Sequence, residues 1–187
     1  GCCVESPPPP MPLAPPLSAP SAPPPPFQPI VQLPRIAASM PSTLIWKGEL
    51  LSADNCIDGM YKTPGLSTLC HTEEVLASEE RPWLEIDMGT SFQVHAVSVW
   101  NRIDGFQDRL FPYSVYVAES PGIVSNILNA QFRCATDVMY SNTMIPCIGH
   151  GRYVTVVATQ MVASTYLHLQ EMFLFGDASP PPPPPPP

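Results

Sequence analysis

The chain has 187 residues, 28 of them proline, with 16 acidic against 8 basic residues and a formal net charge of −8. No lysine or arginine cluster occurs, so the basic footprint that nucleic acid binding needs is missing, and no apolar run approaches the ~18 residues of a membrane-spanning helix. A chain 44% hydrophobic and 13% charged is apolar enough to fold, and its size allows one domain.

The prolines divide the chain. Fourteen lie in positions 1–35 and eight close it at 180–187. Each proline ring fixes φ and removes a backbone donor, so Ser6–Pro10, Pro23–Pro26 and the terminal run are expected to form extended polyproline II rods. At ~3.1 Å per residue the last eight prolines span about 25 Å. The expected organisation is a proline-rich linker over 1–33, a folded domain over 34–177 and a polyproline segment over 178–187. Beginning at Gly1, without an initiator methionine or a charged-then-apolar leader, the sequence reads as a processed protein or an excised piece.

Between the flanks, alternation dominates. Apolar side chains recur at every second residue in Trp83–Met88, Phe92–Trp100, Tyr113–Val117, Tyr153–Val157 and Leu167–Phe175, as half-buried strands require. Gly, Pro, Asn and Asp separate these runs. The fold class is therefore all-β, an antiparallel β-sandwich, with a short helical stretch expected around Ile123–Leu128. No βαβ alternation, phosphate loop or dinucleotide fingerprint is present. Trp83 and Trp100 fall on the strand beat and are expected in the core.

None of the six cysteines has the two-to-four-residue gap of a metal knuckle. Cys56 and Cys70 flank one polar, turn-rich stretch and Cys134 and Cys147 another, which suits two local disulfides formed in an oxidising compartment. Cys2 and Cys3 lie outside the folded part and have no assigned partner. No Asn-x-Ser/Thr sequon occurs. His71 has no neighbouring nucleophile motif and no carboxylate pair stands out, so no enzyme is expected. His95 reads as a structural histidine on a strand, and His150 and His168 show no partner spacing.

The loops carry a further series: Asn55-Cys-Ile-Asp58-Gly59, Cys70-His71-Thr72, Pro82-Trp83, Asn101-Arg102-Ile-Asp104, Arg109-Leu110, Gly151-Arg152 and Gln170-Glu171. This series resembles the fucose-binding F-type lectins, related to discoidin-type jelly rolls, whose signature is a histidine, a long gap, Arg-x-Asp, four residues, then Arg or Lys. Arg102-Ile-Asp104-Gly-Phe-Gln-Asp-Arg109 matches its second half, and the likeness runs over roughly 34–176. The resemblance implies a jelly roll that binds L-fucose or a related glycan through His71, Arg102 and Arg109. Asp104 would hold the two guanidinium groups in place. A pyranose offers hydroxyls that donate and accept, a ring oxygen and an apolar face, and arginines and a histidine supply directional donors to match.

The chain departs from that pattern in three places. Gly105-Phe106 stands where the family commonly has two adjacent cysteines, and Phe106 would stack on the sugar's apolar face instead. Thirty residues separate His71 from Arg102, with Glu73–Arg81 forming a longer acidic rim loop. Gln170 stands where the family has a cysteine beside the final glutamate. The resemblance also implies a structural calcium ion (Ca2+) held by Asn55, Asp58, Met60, Thr68, Gln170 and Glu171, several through main-chain carbonyls, since calcium takes six to eight hard oxygens.

The runs of serine followed by several prolines resemble the hydroxyproline-rich rods of plant and green-algal extracellular-matrix glycoproteins, which implies hydroxylated and glycosylated prolines and an extracellular setting. Expected partners are fucosylated or related glycans, and neighbouring copies or proline-rich glycoprotein rods. The alternative function is a structural β-sandwich building block of a matrix or surface fibre that has lost sugar binding. Proline-rich ligands of SH3-type domains are an intracellular alternative for the flanks.

Overall fold

The computed structural model describes residues 1, 29–76, 81–110, 112–122, 132–139, 142–159 and 165–178. Most of both proline-rich flanks, Cys2, Cys3 and the expected helical stretch Ile123–Leu128 lie outside them. Among the described residues the only helical elements are single 3₁₀ turns, at Ala53–Cys56, Leu66–Thr68 and Gln107–Arg109.

Among the described residues eleven antiparallel strands build the fold: β1 (Ile30–Gln32), β2 (Ala37–Ser39), β3 (Ile45–Trp46), β4 (Glu49–Leu50), β5 (Cys70–His71), β6 (Trp83–Trp100), β7 (Tyr113–Ala118), β8 (Arg133–Val138), β9 (Met144–Ala158), β10 (His168–Leu169) and β11 (Glu171–Asp177). The main sheet runs β1-β11-β6-β9-β7-β8, with β2 also pairing β6. The small pairs β10-β5 and β3-β4 complete an all-β jelly-roll sandwich. Sheet pairing starts at Ile30, which faces Asp177 across β1 and β11, so the ladder reaches into the segment assigned to the linker.

The first two alternating runs prove to be one strand. Across β6 and β9 the register shifts between Asp87 and Phe92 and again between Val94 and Ala96. An extra residue at a bulge reverses which parity faces inward. Phe92 and Val94 are buried before the second shift and Val97 and Val99 after it, all in one cluster. Trp83 and Trp100 are half-buried rather than in that cluster. Trp100 lies on the outer face, its ring centroid 4.4 Å from that of Tyr61. The reason is parity: both fall on the beat opposite to the buried Leu84, Ile86, Val97 and Val99.

The core unites the main sheet with the turn and strands that carry the candidate site. Val97, Val154, Val156 and Leu174 pack in one cluster with Cys56, Cys70, Leu167 and Leu169. Disulfides join Cys56 to Cys70, with Cα atoms 5.4 Å apart, and Cys134 to Cys147, 4.7 Å apart. The first anchors β5, and with it His71, to the Ala53–Cys56 turn.

Candidate functional site

His71 ends β5 opposite His168 of β10. Its backbone is fixed on two sides, donating to Leu51 O at 3.0 Å and accepting from Leu44 N at 2.9 Å. The loop after β6 is shaped by buried Asn101, which accepts from the Arg102 N–H at 2.8 Å and donates to Gln107 O at 2.6 Å. The chain must turn between these contacts, and Gly105 does so at φ 109°, where a side chain would be strained. This loop delivers Arg102, Asp104, Phe106 and Arg109 to the same end of the sandwich as His71.

Aromatic rings link the three candidate groups. The Arg102 and Arg109 guanidinium carbons lie 4.9 and 4.4 Å from the Phe106 ring centroid, within the range of cation–π attraction. Arg109 is also 5.7 Å from the Tyr166 ring, and Tyr166 meets His71 edge-on at 5.5 Å. His71, Arg102 and Arg109 therefore converge. His71 and Arg102 are buried, whereas Arg109 is exposed and Phe106 is 45% exposed, so the cluster opens to solvent on the Phe106 side. Phe106 is a rim residue, not a core anchor.

Asp104 differs from its expected role. It grips Arg102 alone, through Nε at 2.5 Å and Nη2 at 2.6 Å. Among the described residues Arg109 has no carboxylate partner and rests on the Phe106 and Tyr166 rings. The Arg102 contact holds the Asp104 carboxyl below its usual range, since hydrogen bonding to the charged form favours it. A guanidinium has five N–H donors, so this fork leaves Arg102 with three for a ligand.

His71 supplies the complementary function. Its Nδ1 lies 2.6 Å from Thr72 O, so Nδ1 carries the proton and Nε2 offers a lone pair. Burial, with the charges of Arg102 and Arg109, lowers its pKa. The site thus combines one neutral acceptor with two cationic donors, the inventory that a pair of adjacent hydroxyls requires.

The sequence reading passed over His168. Its ring stacks on His71 at 5.2 Å, it is fully buried, and among the described residues neither ring nitrogen has a hydrogen-bond partner. Burial first, then electrostatic repulsion from the neighbouring His71, Arg102 and Arg109, pushes its pKa down to about 3. Apart from alternating along the strand, no signal in the sequence marked it. His95 and His150 lie elsewhere and face Asp177 and Glu119, each at 2.8 Å.

The residues expected to hold calcium gather beneath the site, but on a nitrogen. Gln170 Nε2 lies 3.2 Å from Met60 O, 2.9 Å from Thr63 O, 3.1 Å from Thr68 O and 2.5 Å from Thr68 Oγ1. The Glu171 carboxylate pairs with the Arg35 guanidinium and accepts from Gly59 N–H at 2.6 Å, and burial raises its pKa to about 6. Asp58 Oδ1 accepts from Met60 N–H at 2.7 Å, and the Asn55 amide turns to Leu69 O at 2.8 Å. As they stand, these groups do not fit a cation: both Glu171 oxygens and Asp58 Oδ1 already receive internal donors, and the amide sits where the Met60, Thr63 and Thr68 oxygens converge.

An antiparallel jelly roll with a His/Arg/Arg cup at one end places the chain among F-type lectin and galactose-binding-like folds. No family model matches it. The chain is 29% identical over 136 residues to the pentraxin fusion protein of Xenopus laevis, covering 70% of itself and 30% of that protein. Among solved structures it is similar to the fucolectin from striped bass (Morone saxatilis) serum, at 26% identity and TM-score 0.59, covering 76% of this chain and 45% of that one. It is also similar to the lectin domain of lectinolysin, described in complex with Lewis b antigen, at 25% identity and TM-score 0.55, covering 76% and 93%. The chain thus spans less than half the length of the first two.

Proposed function

We propose that this domain is an extracellular carbohydrate-binding module that recognises L-fucose or a related glycan, carried between stiff proline-rich segments. The convergence of His71, Arg102 and Arg109 around Phe106 carries this reading, and the Lewis b complex of the lectinolysin lectin domain agrees with it. In the bound state His71 Nε2 accepts a hydrogen bond from one sugar hydroxyl. The free N–H groups of Arg102 and Arg109 donate to the neighbouring hydroxyl and the ring oxygen, with charge assistance. The Phe106 edge meets the apolar face of the pyranose. No bond in the sugar is broken.

Such a cup is shallow, so a single sugar binds weakly and useful adhesion comes from several copies on one scaffold. The two disulfides agree with an oxidising, extracellular setting. One observation favours the alternative of a structural building block: two guanidiniums lie against the Phe106 ring, and Asp104 already takes two Arg102 donors. Titration with L-fucose and a glycan array, run on the protein and on Arg102→Ala, decide between them. Loss of a charge-assisted pair is worth about 1.5–3 kcal/mol, roughly a tenfold to hundredfold weaker Kd in the variant. Failure of the unmodified protein to bind any sugar would leave the structural role.

A further inference from the structure

We propose that the Gln170 side-chain amide, with the Arg35 guanidinium, takes the place of a structural divalent cation beneath the cup, so that the domain folds and holds His71 in position without metal. Distances decide between the two occupants. Calcium holds its oxygens at about 2.3–2.6 Å and takes six to eight of them. Around Gln170 Nε2 the four oxygens stand at 2.5, 2.9, 3.1 and 3.2 Å, three of them at N–H···O lengths and beyond a calcium bond.

Charge is balanced in the same way. Glu171 carries the carboxylate that a cation would neutralise, and Arg35 neutralises it instead while also donating to Met172 O at 2.7 Å. Its second oxygen is taken by Gly59 N–H, and the neighbouring carboxylate of Asp58 by Met60 N–H. A cation could enter only by expelling the amide. Gln170 is 1% exposed, its backbone N–H is held by Trp100 O at 2.8 Å, and its neighbours on both sides lie in β10 and β11. The amide has no solvated position to retreat to without leaving a buried hole.

The consequence for the cup follows from chain order. The amide ties Met60, Thr63 and Thr68 into one loop, and that loop enters β5 at Cys70 and ends on His71. Gln170 is thus a positioning residue for His71 in the sugar-binding reading, although the exclusion of metal does not depend on that reading.

The test is thermal melting of the whole chain in EDTA and in millimolar CaCl2, with Gln170→Ala and Gln170→Glu beside it. The wild type is expected to melt at one temperature in both buffers and to give no heat of binding with CaCl2. Gln170→Glu places a carboxylate among four acceptors, so it should melt lower in EDTA and recover with calcium at a Kd on the order of 10⁻³ M or tighter. Gln170→Ala should melt lower, with a smaller recovery. A wild type stabilised by calcium or destabilised by EDTA overturns the proposal, and so does a Gln170→Glu variant that calcium leaves unchanged. If the variants fail to fold, the wild-type comparison decides alone. No sugar enters the measurement, so failure of the lectin reading would leave its result intact.

Discussion

Replacing His168 with leucine should make the domain more stable and remove much of its sensitivity to acid. The imidazole is completely buried, with both nitrogens unpartnered among the described residues, and each buried group without a hydrogen bond costs about 1–3 kcal/mol. Leucine fills similar space without that cost. The folded-state pKa is depressed to about 3, against about 6.5 in the unfolded chain. The unfolded state therefore binds the proton that the native state refuses, and stability present above pH 6.5 is lost as the pH falls. At pH 5.0 this group alone accounts for roughly 2 kcal/mol of loss relative to pH 7.5.

Urea unfolding of both proteins at the two pH values measures it. His71 and Glu171 titrate in both proteins, so the difference of differences isolates His168. The leucine variant should lose about 2 kcal/mol less on acidification. Equal losses in the two proteins would show that His168 is not held neutral by its surroundings, and the electrostatic account of the cup would fail with it.

Three further outcomes follow from the geometry. Gly176→Ala would put a Cβ 2.0 Å from Gln93 O and 2.9 Å from Leu33 Cδ1, at the bulge where β11 shifts against β6; a loss of about 3 kcal/mol in unfolding free energy is expected, read as a lower urea midpoint. Replacing both Cys134 and Cys147 with alanine opens a bridge between residues 13 apart, which on chain-entropy grounds costs about 3 kcal/mol, read as a lower melting temperature without change in fold by circular dichroism. Glycan affinity should fall on acidification with a midpoint below the ordinary histidine value of about 6.5, because burial and the two arginines lower the His71 pKa and protonation converts its Nε2 from acceptor to donor; an affinity already halved at pH 6.5 would contradict that lowering.

The strands were legible because period two survives in Trp83–Met88, Tyr113–Val117 and Tyr153–Val157, where one face is buried throughout. Their continuity was not. Bulges leave no compositional mark, so β6 read as two strands, and Trp83 and Trp100 were placed inside when parity turns them out. β1 was hidden because a strand of three residues, in the four-residue gap between Pro29 and Pro34, cannot show a rhythm. At the site, Arg102, Asp104 and Arg109 could be found because they sit on one loop with fixed spacing. His168 in β10 and Tyr166 two residues before it complete the cup from almost a hundred residues beyond His71 in the chain, and only the pairing of β10 with β5 brings them there. Thr63 joined the Gln170 contacts in the same unannounced way, through a main-chain carbonyl, which any residue type supplies.

The pairing of Ile30 with Asp177 places the entry and exit of the folded unit side by side at one edge of the main sheet. Tension transmitted through the flanking chain would then load the three-residue ladder of β1 and β11 from its open end, parting one rung at a time instead of all together. Peeling of this kind yields at low force. Under strain the domain would release extra chain length early, behaving as a yielding link, while the cup stays intact as long as the inner strands hold.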